Sequence, residues 1–150
     1  MNAAGLENKA GELMKEVETL LAKSKTVRKA QAKWKLAYEK AQQEIGDIEA
    51  ILYVKLTNND GYEVEWDHPD PIVDSDGVKL PEFEAQYRSM LMNTLIQADP
   101  KFQELMATSA DAKKEYYFAE RDERTIMEQI GIKKAQMGLT AALLRMADGS

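Results

Sequence analysis

Two apolar stripes, one toward each end of the chain, restrict what this sequence can fold into. The first runs through Leu6, Ala10, Leu13, Val17, Leu20, Ser24, Val27, Gln31, Trp34, Tyr38, Ala41, Ile45, Ile48 and Leu52; twelve of these fourteen positions are apolar. The second runs through Phe102, Leu105, Ser109, Ala112, Tyr116, Ala119, Glu123, Ile126, Ile130, Lys133, Met137, Thr140, Leu144 and Ala147, with ten apolar. Steps of three and four held this long mark a long helix with a narrow seam, and a seam needs a partner helix. The simplest partner is the other stripe. The sequence therefore predicts a mainly α chain, a long antiparallel helical hairpin (a coiled coil) with a small head. One domain is expected over 1–150: helix one at 5–52, a β-hairpin and acidic loop at 53–80, a short helix at 81–98, and the last helix at 100–147.

The head follows from a change of period. Val54, Leu56, Val64 and Trp66 alternate with Lys55, Glu63 and Glu65 around Asn58-Asn59-Asp60-Gly61. A three-residue loop, Asn59-Asp60-Gly61, would pair Leu56 with Val64 and Val54 with Trp66. Residues 67–80 hold two prolines and an acid cluster and read as loop. Pro81 suits a helix start, and Asp99-Pro100 reads as N-cap and first-turn proline of the last helix.

Packing the two stripes antiparallel, residues whose numbers sum to 157 give the best apolar layers. Leu52 then meets Leu105, Ile45 meets Ala112, and Val27 meets Ile130. Trp34 faces Glu123 and Ser24 faces Lys133, while Arg145 lies near Glu12, Lys29 near Glu128 and Lys35 near Asp122. The register slipped by one heptad sets Val27 on Glu123 and Val17 on Lys133, a poorer apolar match.

Charge is unevenly spread. The net charge of −6 hides seven basic residues and one acid in 23–40, against twelve acids and only Lys55 and Lys79 in 44–84. Lys25, Arg28, Lys29, Lys33 and Lys35 form a basic sector on helix one, and like charges at this spacing call for an anion nearby. The anion is either a nucleic-acid phosphate or the facing acids Glu120, Asp122, Glu123 and Glu128; the facing helix is the more ordinary source. Surplus apolar residues, Leu36, Tyr117, Phe118 and Met127 among them, exceed what a two-helix seam can cover and point to contact with another chain.

Little suggests chemistry. The chain has no cysteine, which excludes disulfides, thiolate metal sites and thiol nucleophiles and fits a cytoplasmic location. Asp74-Ser75-Asp76-Gly77 looks like part of a calcium-binding loop. Ile72 stands where the first acid should be, and Lys79-Leu80-Pro81 breaks the pattern. His68, the only histidine, lacks an evident partner for proton transfer. No catalytic residue, metal site or cofactor is expected, and the chain is not read as an enzyme. No apolar run is long enough to span a membrane, and the first residues lack the features of a signal peptide.

The segments Glu84-Ala85-Gln86-Tyr87-Arg88, Ala98-Asp99-Pro100-Lys101-Phe102-Gln103-Glu104-Leu105 and Ala119-Glu120-Arg121 carry a resemblance. From about Ala30 onward the chain resembles small helical-hairpin (coiled-coil) proteins of tailed phages, which are mostly uncharacterised. Its acidic segment 58–80 is longer than their usual link. The resemblance implies a cytoplasmic accessory role in the host cell, beside DNA replication or recombination, and transfers no site residue. The function expected is a non-enzymatic protein–protein interaction or scaffold protein, homo-oligomeric, with a protein partner whose identity the sequence leaves open. Direct nucleic-acid binding through the basic sector is the first alternative. A holding chaperone resembling prefoldin subunits is the second.

Overall fold

A computed structural model describes residues 2–149. It is mainly helical: α1 spans Ala3–Thr57, α2 Pro81–Ala98 and α3 Pro100–Gly149. The chain's contacts fall into two compact units. Unit one comprises Met1–Leu36 with Ala112–Ser150, and unit two comprises Ala37–Asp111.

In unit one, α1 opens on Asn2, whose side-chain oxygen accepts a hydrogen bond from the Gly5 N–H at 2.8 Å. An N-cap of this kind satisfies one of the orphan donors of the first turn. The two helices then bury Leu6, Leu13 and Val17 of α1 and Ala112, Ala119 and Ile130 of α3. Two polar contacts fix how they run. Glu16 bonds Lys133 at 2.9 Å, and Ser24 bonds both oxygens of Glu123 at 3.0 and 3.1 Å. Numbers rise on one helix as they fall on the other, so the pair is antiparallel.

The register is the slipped one. The pairs Ser24–Glu123, Glu16–Lys133 and Arg28–Glu123 in unit one sum to 147, 149 and 151, and no bonded pair there sums to 157. Unit two agrees: the Gln42 amide donates to the Ser109 hydroxyl at 2.6 Å. The expected ion pairs Arg145–Glu12, Lys29–Glu128 and Lys35–Asp122 do not form among the described residues. The slipped register faces charged residues with valines, and those charged side chains turn aside to the neighbours of the valines. Glu123 reaches Ser24 and Arg28, and Lys133 reaches Glu16, so each polar group is satisfied and the apolar layers close around them. Lys133 also holds the Glu16 carboxyl below its ordinary pKa, chiefly through their hydrogen bond.

In unit two the expected β-hairpin is absent: no strand forms among the described residues. Val54 and Leu56 belong to α1, which runs past residue 52 to Thr57. Leu56 lies one helical turn beyond Leu52 and is 1% exposed, so the seam simply continues. Asn58-Asn59-Asp60 then stops the helix. The Asp60 N–H bonds the Lys55 carbonyl at 2.8 Å and the Asn59 N–H bonds the Leu56 carbonyl at 3.2 Å. Asn59 has φ 52°. This is a Schellman stop with a left-handed residue just past the helix.

Residues 62–66 alternate as expected, without a strand partner. Tyr62, Val64 and Trp66 pack on a core of Ile45, Leu52, Leu56, Ile96, Phe102 and Leu105, while Glu63 and Glu65 are exposed. Among the described residues the one antiparallel β-bridge lies further on, between Val73 and Lys79. Its turn is Asp74–Gly77, with Gly77 at φ 78°. Asp99 caps α3, its carboxylate accepting from the N–H groups of Lys101 and Phe102 at 3.0 Å each.

Candidate interaction surfaces

The basic sector lies exposed on α1 within unit one. Only Arg28 of its five members pairs with an acid among the described residues. Its Nε donates to Glu123 at 2.7 Å, and its outer nitrogen approaches the Met127 sulfur at 3.9 Å. Of the other facing acids, Glu120 is taken by Arg124 at 3.4 Å. Lys33 sits 5.2 Å from the Trp34 ring centre. Lys25, Lys29, Lys33 and Lys35 therefore have no carboxylate partner among the described residues, so the facing helix neutralises this sector only at Arg28.

The register also brings cations of α3 to the same level. Residues 23–36 of α1 stand beside roughly 114–127 of α3, given the Ser24–Glu123 and Arg28–Glu123 contacts. Lys113, Lys114, Arg121 and Arg124 lie in or next to that stretch. Two exposed rings lie among them. Lys113 stands 5.9 Å from the Tyr117 ring, and Lys114 and Arg121 stand 5.6 and 5.3 Å from the Phe118 ring. Each is a cation–π distance.

Of the expected partner contacts, Leu36 is 68% exposed and Tyr117, Phe118 and Met127 are all exposed as well. They do not form one patch. Tyr117 and Phe118 lie among cations, and Met127 lines a groove with Leu21 and Arg28. A more coherent apolar surface lies further along α3. Ile132, Ala135, Gln136, Leu139, Ala142, Leu143 and Met146 are all exposed. Their spacing of three, one, three, three, one and three places them on a single helix face. None is charged. Ile132 also lines a groove of about 570 Å³ with Thr19, Leu20 and Gln129 and with the charged Lys15, Glu16 and Lys133. The signal was present in the sequence as a second seven-residue series, Ile132, Leu139 and Met146, two places behind the seam.

The acidic loop of unit two is a structural turn. The Asp74 carboxylate accepts from the N–H groups of Asp76 and Val78 at 2.9 and 3.0 Å, which commits one of its oxygens to the turn. Among the described residues no group of three or more His, Asp or Glu side chains is placed to hold a metal ion. His68 packs edge-on to Tyr87 at 4.6 Å and its Nδ1 accepts from the Asp70 N–H, while Asp67 pairs with Arg88 at 3.1 Å. No described helix is long and apolar enough to cross a membrane.

Comparison of the chain with protein-family models, curated proteins and solved structures finds no match.

Proposed function

We propose that this protein is a non-enzymatic interaction module that assembles with a second copy of itself through the face Ile132–Met146 of α3. The observation that supports this reading is the absence of charge from that exposed face over four helical turns. Isolated surface leucines are ordinary, but a contiguous apolar patch of several hundred Å² marks a contact surface.

The face is complementary to itself. Crossing two copies antiparallel about Leu139 sets Ile132 against Met146, Ala135 against Leu143, and Gln136 against Ala142. Ala135 and Ala142 thus meet the larger Leu143 and Gln136, Ile132 meets Met146, Leu139 meets its own copy, and no like charges meet. Covering both faces would remove on the order of 1,000 Å² from water, the lower end of what specific interfaces bury. The phage resemblance suggests the setting, a cytoplasmic accessory scaffold beside DNA replication or recombination.

Sedimentation equilibrium tests this reading. The protein is expected to be a dimer or larger at micromolar concentration. Leu139→Lys with Leu143→Glu is expected to be monomeric with unchanged helical circular dichroism. A monomeric parent protein, or a double variant that still dimerises, would contradict it.

A further inference from the structure

The two units carry opposite charge. Unit one holds 15 basic and 10 acidic residues, a net +5; unit two holds 5 and 16, a net −11. The positive charge of unit one is concentrated further. Residues 23–36 and 112–125 hold ten basic residues against Glu115, Glu120, Asp122 and Glu123. Two of those four acids are already paired within the chain, with Arg124 and Arg28.

The positive stretch also has a direction. Lys33 of α1 and Phe118 of α3 occupy the same position in their seven-residue repeats. Equivalent positions of this kind fall on one side of an antiparallel pair. That side holds a groove of about 520 Å³ lined by Lys23, Thr26 and Val27 of α1 and Asp122, Thr125 and Ile126 of α3, whereas Lys29 lines another groove, with Arg28 and Met127. Lys114 and Arg121 stand against the Phe118 ring at 5.6 and 5.3 Å. This side of unit one thus presents Lys23 and Lys33 of α1, Lys114 and Arg121 of α3, and a phenyl ring that is 41% exposed. Cations spaced along a line of about 20 Å, with an aromatic face among them, match an extended polyanion whose units carry a flat ring.

We propose that this side of unit one binds single-stranded nucleic acid. Lys23 and Lys33 of α1 and Lys114 and Arg121 of α3 contact phosphates, and Phe118 stacks on a base. The site is separate from the Ile132–Met146 face and does not depend on self-association. Binding is electrostatic and sequence-tolerant, and the strand displaces the Lys114 and Arg121 side chains from the Phe118 ring onto its phosphates.

Fluorescence anisotropy with a labelled oligothymidylate tests the site on the full chain. Four phosphate contacts predict a log-affinity slope against log salt of about −3, and so a loss approaching a hundredfold between 50 and 200 mM salt. Lys23→Glu with Lys33→Glu, and separately Lys114→Glu with Arg121→Glu, are each expected to weaken binding at least tenfold and to flatten that slope. Phe118→Ala is expected to weaken binding about tenfold and leave the slope unchanged. Circular dichroism confirms that each variant keeps its helices. Three outcomes would overturn the proposal. One is no oligonucleotide binding at 50 mM salt. Another is binding that survives the Lys114/Arg121 pair. The third is a protein that ignores the oligonucleotide but dissociates from its own copies as salt is raised, which would assign the cations to the acidic unit of another copy.

Discussion

Glu123 stands in the seam, with its side chain only 16% exposed, and its carboxylate is shared by two residues of α1. The Ser24 hydroxyl lies 3.0 and 3.1 Å from its oxygens, and Arg28 donates from outside. Ser24 is itself 3% exposed, so removing the carboxylate strands a buried hydroxyl. Glu123→Ala is expected to cost about 1–3 kcal/mol in urea unfolding at fixed protein concentration. Ser24→Ala combined with Glu123→Leu is expected to recover most of that loss, because replacing both partners with apolar groups leaves nothing unsatisfied. Losses that simply add would show that the two residues act independently. The sequence exposed Ser24, Glu123 and Lys133 as flaws in the stripes but hid their partners. Layer-by-layer matching compares seam residues only with one another, whereas Glu123 and Lys133 bond residues that flank the seam. Arg28 and Glu16 each adjoin the valine, Val27 or Val17, that the register sets opposite.

At the scale of the element, the end of α1 turns on Asn59. Its left-handed backbone closes the helix, and its side-chain oxygen accepts from the Trp66 indole at 3.3 Å. Asn59→Ala is expected to destabilise the chain by about 1–2 kcal/mol, since Ala lacks the short polar side chain that lets Asn take up a left-handed backbone. Asn59→Gly keeps the backbone and loses only the indole contact, so it is expected to cost clearly less. Equal losses in thermal unfolding would place the effect in the indole contact instead. The same four residues, Asn58-Asn59-Asp60-Gly61, can end a helix or turn a hairpin, and local chemistry does not separate these outcomes. Val54, Lys55 and Leu56 are too few to establish a two-residue period. The step of four from Leu52 to Leu56 was the deciding signal. The alternation at Tyr62, Val64 and Trp66 did identify the buried side of its segment, although that side rests on a core built mainly by helices. Asp99-Pro100, by contrast, was readable outright, because capping chemistry and first-turn proline agree there.

At the scale of the whole molecule, two long helices packing together were legible from periodicity alone, and the charge asymmetry was legible in part. The basic cluster on α1 stood out, but the cations of α3 did not, because residues 85–150 balance nine basic against nine acidic residues. Dividing the chain where its contacts divide assigns Asp99, Glu104 and Asp111 to unit two and leaves Lys113, Lys114, Arg121 and Arg124 beside the α1 lysines. That grouping depends on the register, as does the proposed strand-binding side. The register is tested most directly by crosslinking in a chain that has no cysteine of its own. Ser24→Cys with Glu123→Cys is expected to be joined within one molecule by a short bis-maleimide. Ser24→Cys with Lys133→Cys is expected to stay open, because residue 133 lies about 15 Å further along α3. Intramolecular crosslinking of the 24–133 pair, with the 24–123 pair left open, would contradict the register and the surfaces built on it.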